Sequence, residues 1–182
     1  MKTKYEGVYA KKEGAIWTRE EPHEELIKLI KQENIKPCKT LEIGCGEGIG
    51  AIYLASKGFD VTAIDISETA IEKAKENAKK EGVEVNFMVL NLHNLNKLKD
   101  KFDFVLEWAI MHCISFDKRE AYVEQVSKIL NEKGKYFSIC FNIKSPSFGK
   151  VGERIREGKS APEIKIYFTP QKEVEELFGK YL

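Results

Sequence analysis

The chain has 182 residues, and 32% of them are charged, yet 30 Lys and Arg against 29 Asp and Glu leave a formal net charge of +1. That balance supplies no long-range pull toward nucleic acid or an anionic membrane surface, and the length suits one domain, residues 1–182, able to bury its own core. The opening MKTKYEGVYAKKEG lacks the apolar heart of a signal peptide, and no apolar run approaches the ~20 residues of a membrane span. Cys38, Cys45, Cys113 and Cys140 form no CxxC pair, so neither a zinc module nor a disulfide scaffold is expected, and a reducing, cytoplasmic setting is.

In chain order, residues 1–22 precede the first regular pattern. Tyr9 and Trp17 fall there and either pack as core or fold over a ligand as a lid; the lid is favoured. A helix starts near Pro22, where PHEELIKLIK places Leu26, Ile27 and Ile30 on one stripe. Strands follow near Thr40 to Ile43 and Asp60 to Ile64. Ser67 caps a helix that runs to Gly82, with Ile66 and Ile71 placed as a hydrophobic staple. A third strand spans Glu84 to Leu90 and a fourth Phe102 to Leu106. Asp117, with Glu120 three residues on, caps DKREAYVEQVSKILNEKG, which Gly134 stops. A fifth strand spans Lys135 to Phe141. Residues 142–167 carry two Pro and three Gly without a sustained period and read as a long connection. A last helix begins at Thr169-Pro170, with Pro in the first helical position.

Strands alternating with helices, most of them near-continuous apolar runs, predict an α/β protein. The expected form is a three-layer, doubly wound, mostly parallel sheet with helices on both faces. Such sheets bind ligands beyond the carboxyl ends of the strands, where strand order reverses. The stretch LEIGCGEGIG, residues 41–50, ends the first strand there. Glycine has no Cβ, so a ligand can lie against bare backbone at Gly44, Gly46 and Gly48. A dinucleotide fingerprint, GxGxxG, would need its third glycine at position 49, which is Ile. Glu42, two residues before the first glycine, repels a pyrophosphate but suits a cation. Asp65, at the end of the second strand, has the spacing of a ribose-binding acid.

LEIGCGEG followed by AIDIS, VNFMVLNLHNL and FDFVLEWAIMH resembles the class I S-adenosylmethionine-dependent methyltransferases. Trp17, Pro22-His23 and WAIMHCI are most similar to the small-molecule enzymes of the thiopurine and tellurite-resistance type. The resemblance covers Leu26 to Phe141. It implies a methyl transfer by in-line displacement to a small-molecule acceptor, with S-adenosylhomocysteine as product and no metal. It places Glu42, Gly44, Cys45, Gly46, Asp65, Ile66, Asn91, Leu92, Glu107 and Trp17 around the cofactor. Asn91 stands where the family often has an acid near the adenine amino group, a position its side-chain oxygen can fill.

Tyr9, Trp108 and His112 would shape the acceptor site, with Trp108 equally readable as core. His112 is the candidate general base, although a sulfonium needs none. The alternatives are a non-catalytic S-adenosylmethionine-binding partner subunit and a nicotinamide-dependent oxidoreductase. The family's sheet usually ends in a strand hairpin after the last helix, and FGKYL leaves none. Either the hairpin is missing, or Ile164 to Phe168 supplies an edge strand, or the chain is cut short. An open edge points to a homodimer, with a monomer as the alternative. No nucleic-acid or membrane partner is expected.

Overall fold

The computed structural model describes residues 4–11, 15, 17–33, 35–144, 155–157 and 164–182. Most of the expected connection 142–167, with its basic stretch, lies outside the described residues. Five apolar runs form a parallel sheet: β1 (Lys39–Ile43), β2 (Asp60–Asp65), β3 (Asn86–Val89), β4 (Phe102–Trp108) and β5 (Leu130–Ile139). Their order is β3-β2-β1-β4-β5, so strand order reverses between β1 and β4. The registers Ile43↔Ile64 and Ile43↔Glu107 bring the carboxyl ends of β1, β2 and β4 to one rim.

Side-chain alternation sends successive residues to opposite faces. Val61, Ala63, Phe104 and Leu106 pack with Leu26, Leu54 and Ile71 from α2 (Glu24–Gln32), α3 (Ile49–Ser56) and α4 (Glu68–Glu81). Leu41, Ile43, Ile64 and Val105 meet Tyr122, Val123 and Val126 of α5 (Phe116–Ile129), with Leu177 and Phe178 of α6 (Gln171–Gly179) on the same side. The result is the three-layer, mostly parallel architecture that the pattern implied. A short first helix, α1 (Lys4–Tyr9), packs Val8 and Tyr9 in a smaller cluster with Ala70 and Ile164.

The best-read helix is α4. Ser67 Oγ accepts the Ala70 N–H at 3.1 Å, and Gly82 closes the helix at φ +65°; such a cap contributes about 1 kcal/mol. The reading of α5 needs correction at both ends. Its N-cap is Ser115, with Asp117 inside the first turn, and it stops at Ile129, before Gly134. Leu130 pairs with Phe102, Lys135 pairs with Phe104, and residues 131–134 loop out between them. Strand pairing there outweighs the helical pattern of the local sequence. Pro170 is likewise the residue before α6, not its first.

The segment Ile164 to Phe168, one of the candidates for an edge strand, goes elsewhere. β7 (Lys165–Tyr167) pairs antiparallel with β6 (Ile155–Glu157) in a separate two-stranded sheet, and an isolated bridge joins Thr169 to Asn142. Among the described residues no strand follows α6, and β5 is an edge of the main sheet. No helix of the described residues is long and apolar enough to cross a membrane.

Candidate active site

A cavity of about 630 Å³ opens above the β1/β4 reversal, within the ~300–1,000 Å³ usual for small-ligand sites. Its floor is the glycine turn after β1. Gly44 has φ +73° and Gly46 φ +54°, a region L side chains rarely adopt. A Cβ on Gly44 would lie 2.1 Å from Ile110 Cδ1, and one on Gly46 2.7 Å from the Tyr9 hydroxyl oxygen. Bare backbone is therefore required by close neighbours as well as by conformation.

Two carboxylates flank this floor. Asp65 is fixed at the end of β2: Oδ2 accepts the Gly46 N–H and Oδ1 the Ser67 N–H, both at 2.9 Å. Burial raises its pKa, and the backbone donors work against that rise. Each oxygen keeps a lone pair for a ligand hydroxyl. Glu42 faces α3. A Cβ on Gly50 would sit 2.5 Å from Glu42 Oε1, so the fourth glycine makes room for this carboxyl group. Glu42 Oε2 is the one fully buried side-chain oxygen or nitrogen without a partner among the described residues, and burial, with Asp65 adding, pushes the carboxyl up to about 8.

The chain before α2 closes the cavity from outside. Trp17 Nε1 donates to the Tyr9 hydroxyl at 2.8 Å, directly over Gly46. Glu6 of α1 accepts from Ser67 Oγ at 2.6 Å and from Thr69 at its N–H and hydroxyl, tying α1 to the start of α4. Lys73 Nζ donates to the Tyr9 carbonyl at 3.2 Å and pairs with Glu47 at 3.0 Å. At the far wall the His23 ring lies flat on Trp108, with centroids 3.4 Å apart and planes at 14°.

Cys45, Ile66, Asn91 and Leu92 line the cavity. Asn91 also caps the 3-10 turn Leu92–Lys97, its Oδ1 accepting the His93 N–H at 2.9 Å. Glu107 does not join them. It shares the α5 face with Val105, fully buried, and its carboxylate accepts from Met111 N–H at 2.8 Å, Tyr136 at 3.2 Å and Ser138. It therefore supports the turn Met111–Cys113 from behind, and burial lifts its pKa to about 7. Trp108, one residue on, faces the cavity by alternation.

Sequence reasoning missed Tyr5 and Phe141, which line the space together with Ile110 of the segment 107–112. Ile110 is placed by Ala109, whose φ of +64° is strained for a residue with a Cβ. A local sequence signal for that bend is lacking. His112 is 6% exposed, stacks on Phe141 with centroids 4.5 Å apart, and accepts the Phe141 N–H on Nδ1 at 3.3 Å. Burial, with the Arg119 charge, lowers its pKa to about 4.

Comparison with known proteins bears on this arrangement. Residues 40–134 match the family model described as a methyltransferase domain, which is more than half of the chain. A 2-heptyl-1-hydroxyquinolin-4(1H)-one methyltransferase of Mycobacteroides abscessus is 28% identical over 127 residues, 69% of this chain and 56% of that protein. An uncharacterized methyltransferase of Schizosaccharomyces pombe is 36% identical over 118 residues, 64% of this chain and 78% of that protein. The probable S-adenosyl-L-methionine-dependent methyltransferase TehB of Haemophilus influenzae is 26% identical over 100 residues, 55% of this chain and 35% of that protein. The TehB crystal structure superposes at a TM-score of 0.68 and 20% identity, covering 97% of this chain and 55% of that one. The chain thus spans about half the length of the first of these relatives. With a family model over more than half of its length and that superposition, the chain belongs to the class I S-adenosylmethionine-dependent methyltransferase family.

Proposed function

We propose that the chain transfers a methyl group from S-adenosylmethionine to a small-molecule acceptor. The carrying observation is the Asp65 carboxylate, clamped by the Gly46 and Ser67 N–H groups beside a turn with no room for Cβ. Asp65 would take the ribose hydroxyls. Gly44, Cys45 and Gly46 would lie under the methionine part, and Ile66, Asn91 and Leu92 would hold the adenine. The orphaned Glu42 Oε2 suits an ammonium, directly or through a water. The Glu42 carboxyl lies against Gly50 in the first turn of α3, and Ile49 stands where a dinucleotide fingerprint needs its third glycine, which speaks against a nicotinamide dinucleotide. Bound S-adenosylmethionine supplies an electrophilic methyl on sulfonium.

The protein's own contribution is exclusion of water and alignment. Tyr9 and Trp17 would act as a lid over the cofactor, and Trp108, His112 and Tyr9 would bound the acceptor. A cavity of this size leaves room beside a nucleoside for a small acceptor. The name of the Mycobacteroides abscessus relative, which specifies a quinolinone, is in keeping with such an acceptor. Four free cysteines suit a reducing, cytoplasmic compartment.

Titration calorimetry with S-adenosylhomocysteine tests the reading. The wild-type chain should bind in the micromolar range, and Asp65→Ala should abolish the heat while circular dichroism stays native. No heat and no thermal shift with either cofactor form would end it. Binding without transfer of labelled methyl to any thiol, phenol or amine would favour the binding-only subunit.

A further inference from the structure

The neutral histidine at the acceptor wall fixes what kind of acceptor this site takes. His112 receives the Phe141 N–H on Nδ1, so its proton sits on Nε2. Nε2 has no protein partner among the described residues. Among those residues Glu42 Oε2 alone is both fully buried and unpartnered, so Nε2 keeps some accessible surface, on a ring that lines the cavity. Its surroundings keep it that way. Arg119, 3% exposed, is anchored on the Ile114 carbonyl at 3.0 Å and the Tyr167 carbonyl at 3.1 Å, and its charge disfavours a second proton on the ring.

The other titratable groups nearby are no better as bases. The Cys113 thiol donates to the Ala109 carbonyl, and burial raises it. Cys140 is pushed up to about 11 by burial, and Tyr5 is raised as well. Glu107 reaches this region only by its charge on the two thiols, since its carboxylate is spent behind the turn.

We propose that His112 is a hydrogen-bond donor through Nε2–H and not a base, and that the site accordingly selects acceptors that arrive as anions, thiolates or acidic phenolates. This rests on the methyltransferase reading above. The acceptor's lone pair forms the new bond to the methyl carbon while the carbon–sulfur bond breaks and its pair stays on sulfur. An anion and a sulfonium become two neutral products, and no proton or further reactant is needed. The hydrogen bond from Nε2 weakens as the charge disappears, which helps release the methylated product.

Two measurements on the whole chain test this. Nitrogen-proton correlation spectra of the histidine side chains should show His112 as the Nε2–H tautomer, with no titration between about pH 5.5 and 8. An Nδ1–H tautomer, or protonation near the ordinary value, would overturn the proposal. With S-adenosylhomocysteine present, 4-nitrophenol should bind mainly as its coloured phenolate, its apparent pKa falling by about one unit, a tenfold preference. His112→Gln, which can still donate, should keep part of that shift and His112→Phe none. Preference for the neutral phenol, or no phenolate binding at millimolar probe, would overturn it too. The spectra need no cofactor, so a failure of the cofactor reading shows separately, as absent heat with S-adenosylhomocysteine.

Discussion

At Glu42 the strand pattern places a carboxylate in one of the best-packed parts of the molecule, 6% exposed and beneath α3. Burial is the larger cause of its raised pKa, and Asp65 adds to it. A carboxyl held above its unfolded value of 4.5 stabilises the fold while protonated. That contribution is complete below the unfolded value and is lost as pH climbs through about 8. Glu107, at about 7, has the same sign. His112, lowered to about 4, works the other way below the ordinary histidine value of 6.5, so the cofactor-free protein should lose stability from about pH 6.5 to about pH 8, by on the order of 1–3 kcal/mol. Glu42→Gln should flatten much of this slope in denaturant titrations at several pH values. A wild type whose stability rises over that interval would show that Glu42 folds ionised.

Among the elements, α1 is the most exposed to test, because six residues cannot hold a helix by propensity. Its stability comes from Val8 and Tyr9 packing against Ala70 and from Glu6 bound at the start of α4. A carboxylate there is favoured by the helix dipole as well as by its donors. Glu6→Ala should leave the thermal midpoint nearly unchanged, since the core of the sheet is untouched. It should speed S-adenosylhomocysteine dissociation several-fold, read by stopped-flow fluorescence of Trp17. Equal off-rates would mean that α1 does not gate the cofactor. The boundaries of α4 were readable because Ser67 and Gly82 act within a few residues of themselves. Those of α5 were not, because the pairing of Leu130 with Phe102 joins residues 28 apart in sequence. No local pattern carries a contact of that kind.

For the whole molecule, the strand-order reversal between β1 and β4 collects Gly44, Asp65, Asn91 and Trp108 at one cavity from four separate segments. Among the described residues β5 is left as an edge, and β6 with β7 does not extend the sheet there. Unpaired N–H and C=O groups on a long edge strand favour association. We expect a dimer through that edge, visible as twice the 20.8 kDa chain mass in light scattering. A monomer at high protein concentration would count against it.

The sequence by itself determined the alternation of strands and helices, the caps of α4, and the glycine turn with Glu42 and Asp65 at its sides. Each of these is set by periodicity or by neighbours a few residues apart. Only the tertiary structure decided which way each side chain faces and what it spends its hydrogen bonds on. It sent Glu107 behind the sheet, bent the chain at Ala109 to press Ile110 under Gly44, and used the Phe141 N–H to fix the tautomer of His112. Those outcomes depend on contacts between distant segments in a buried space, where a partner 29 residues away settles whether a nitrogen gives or accepts a proton.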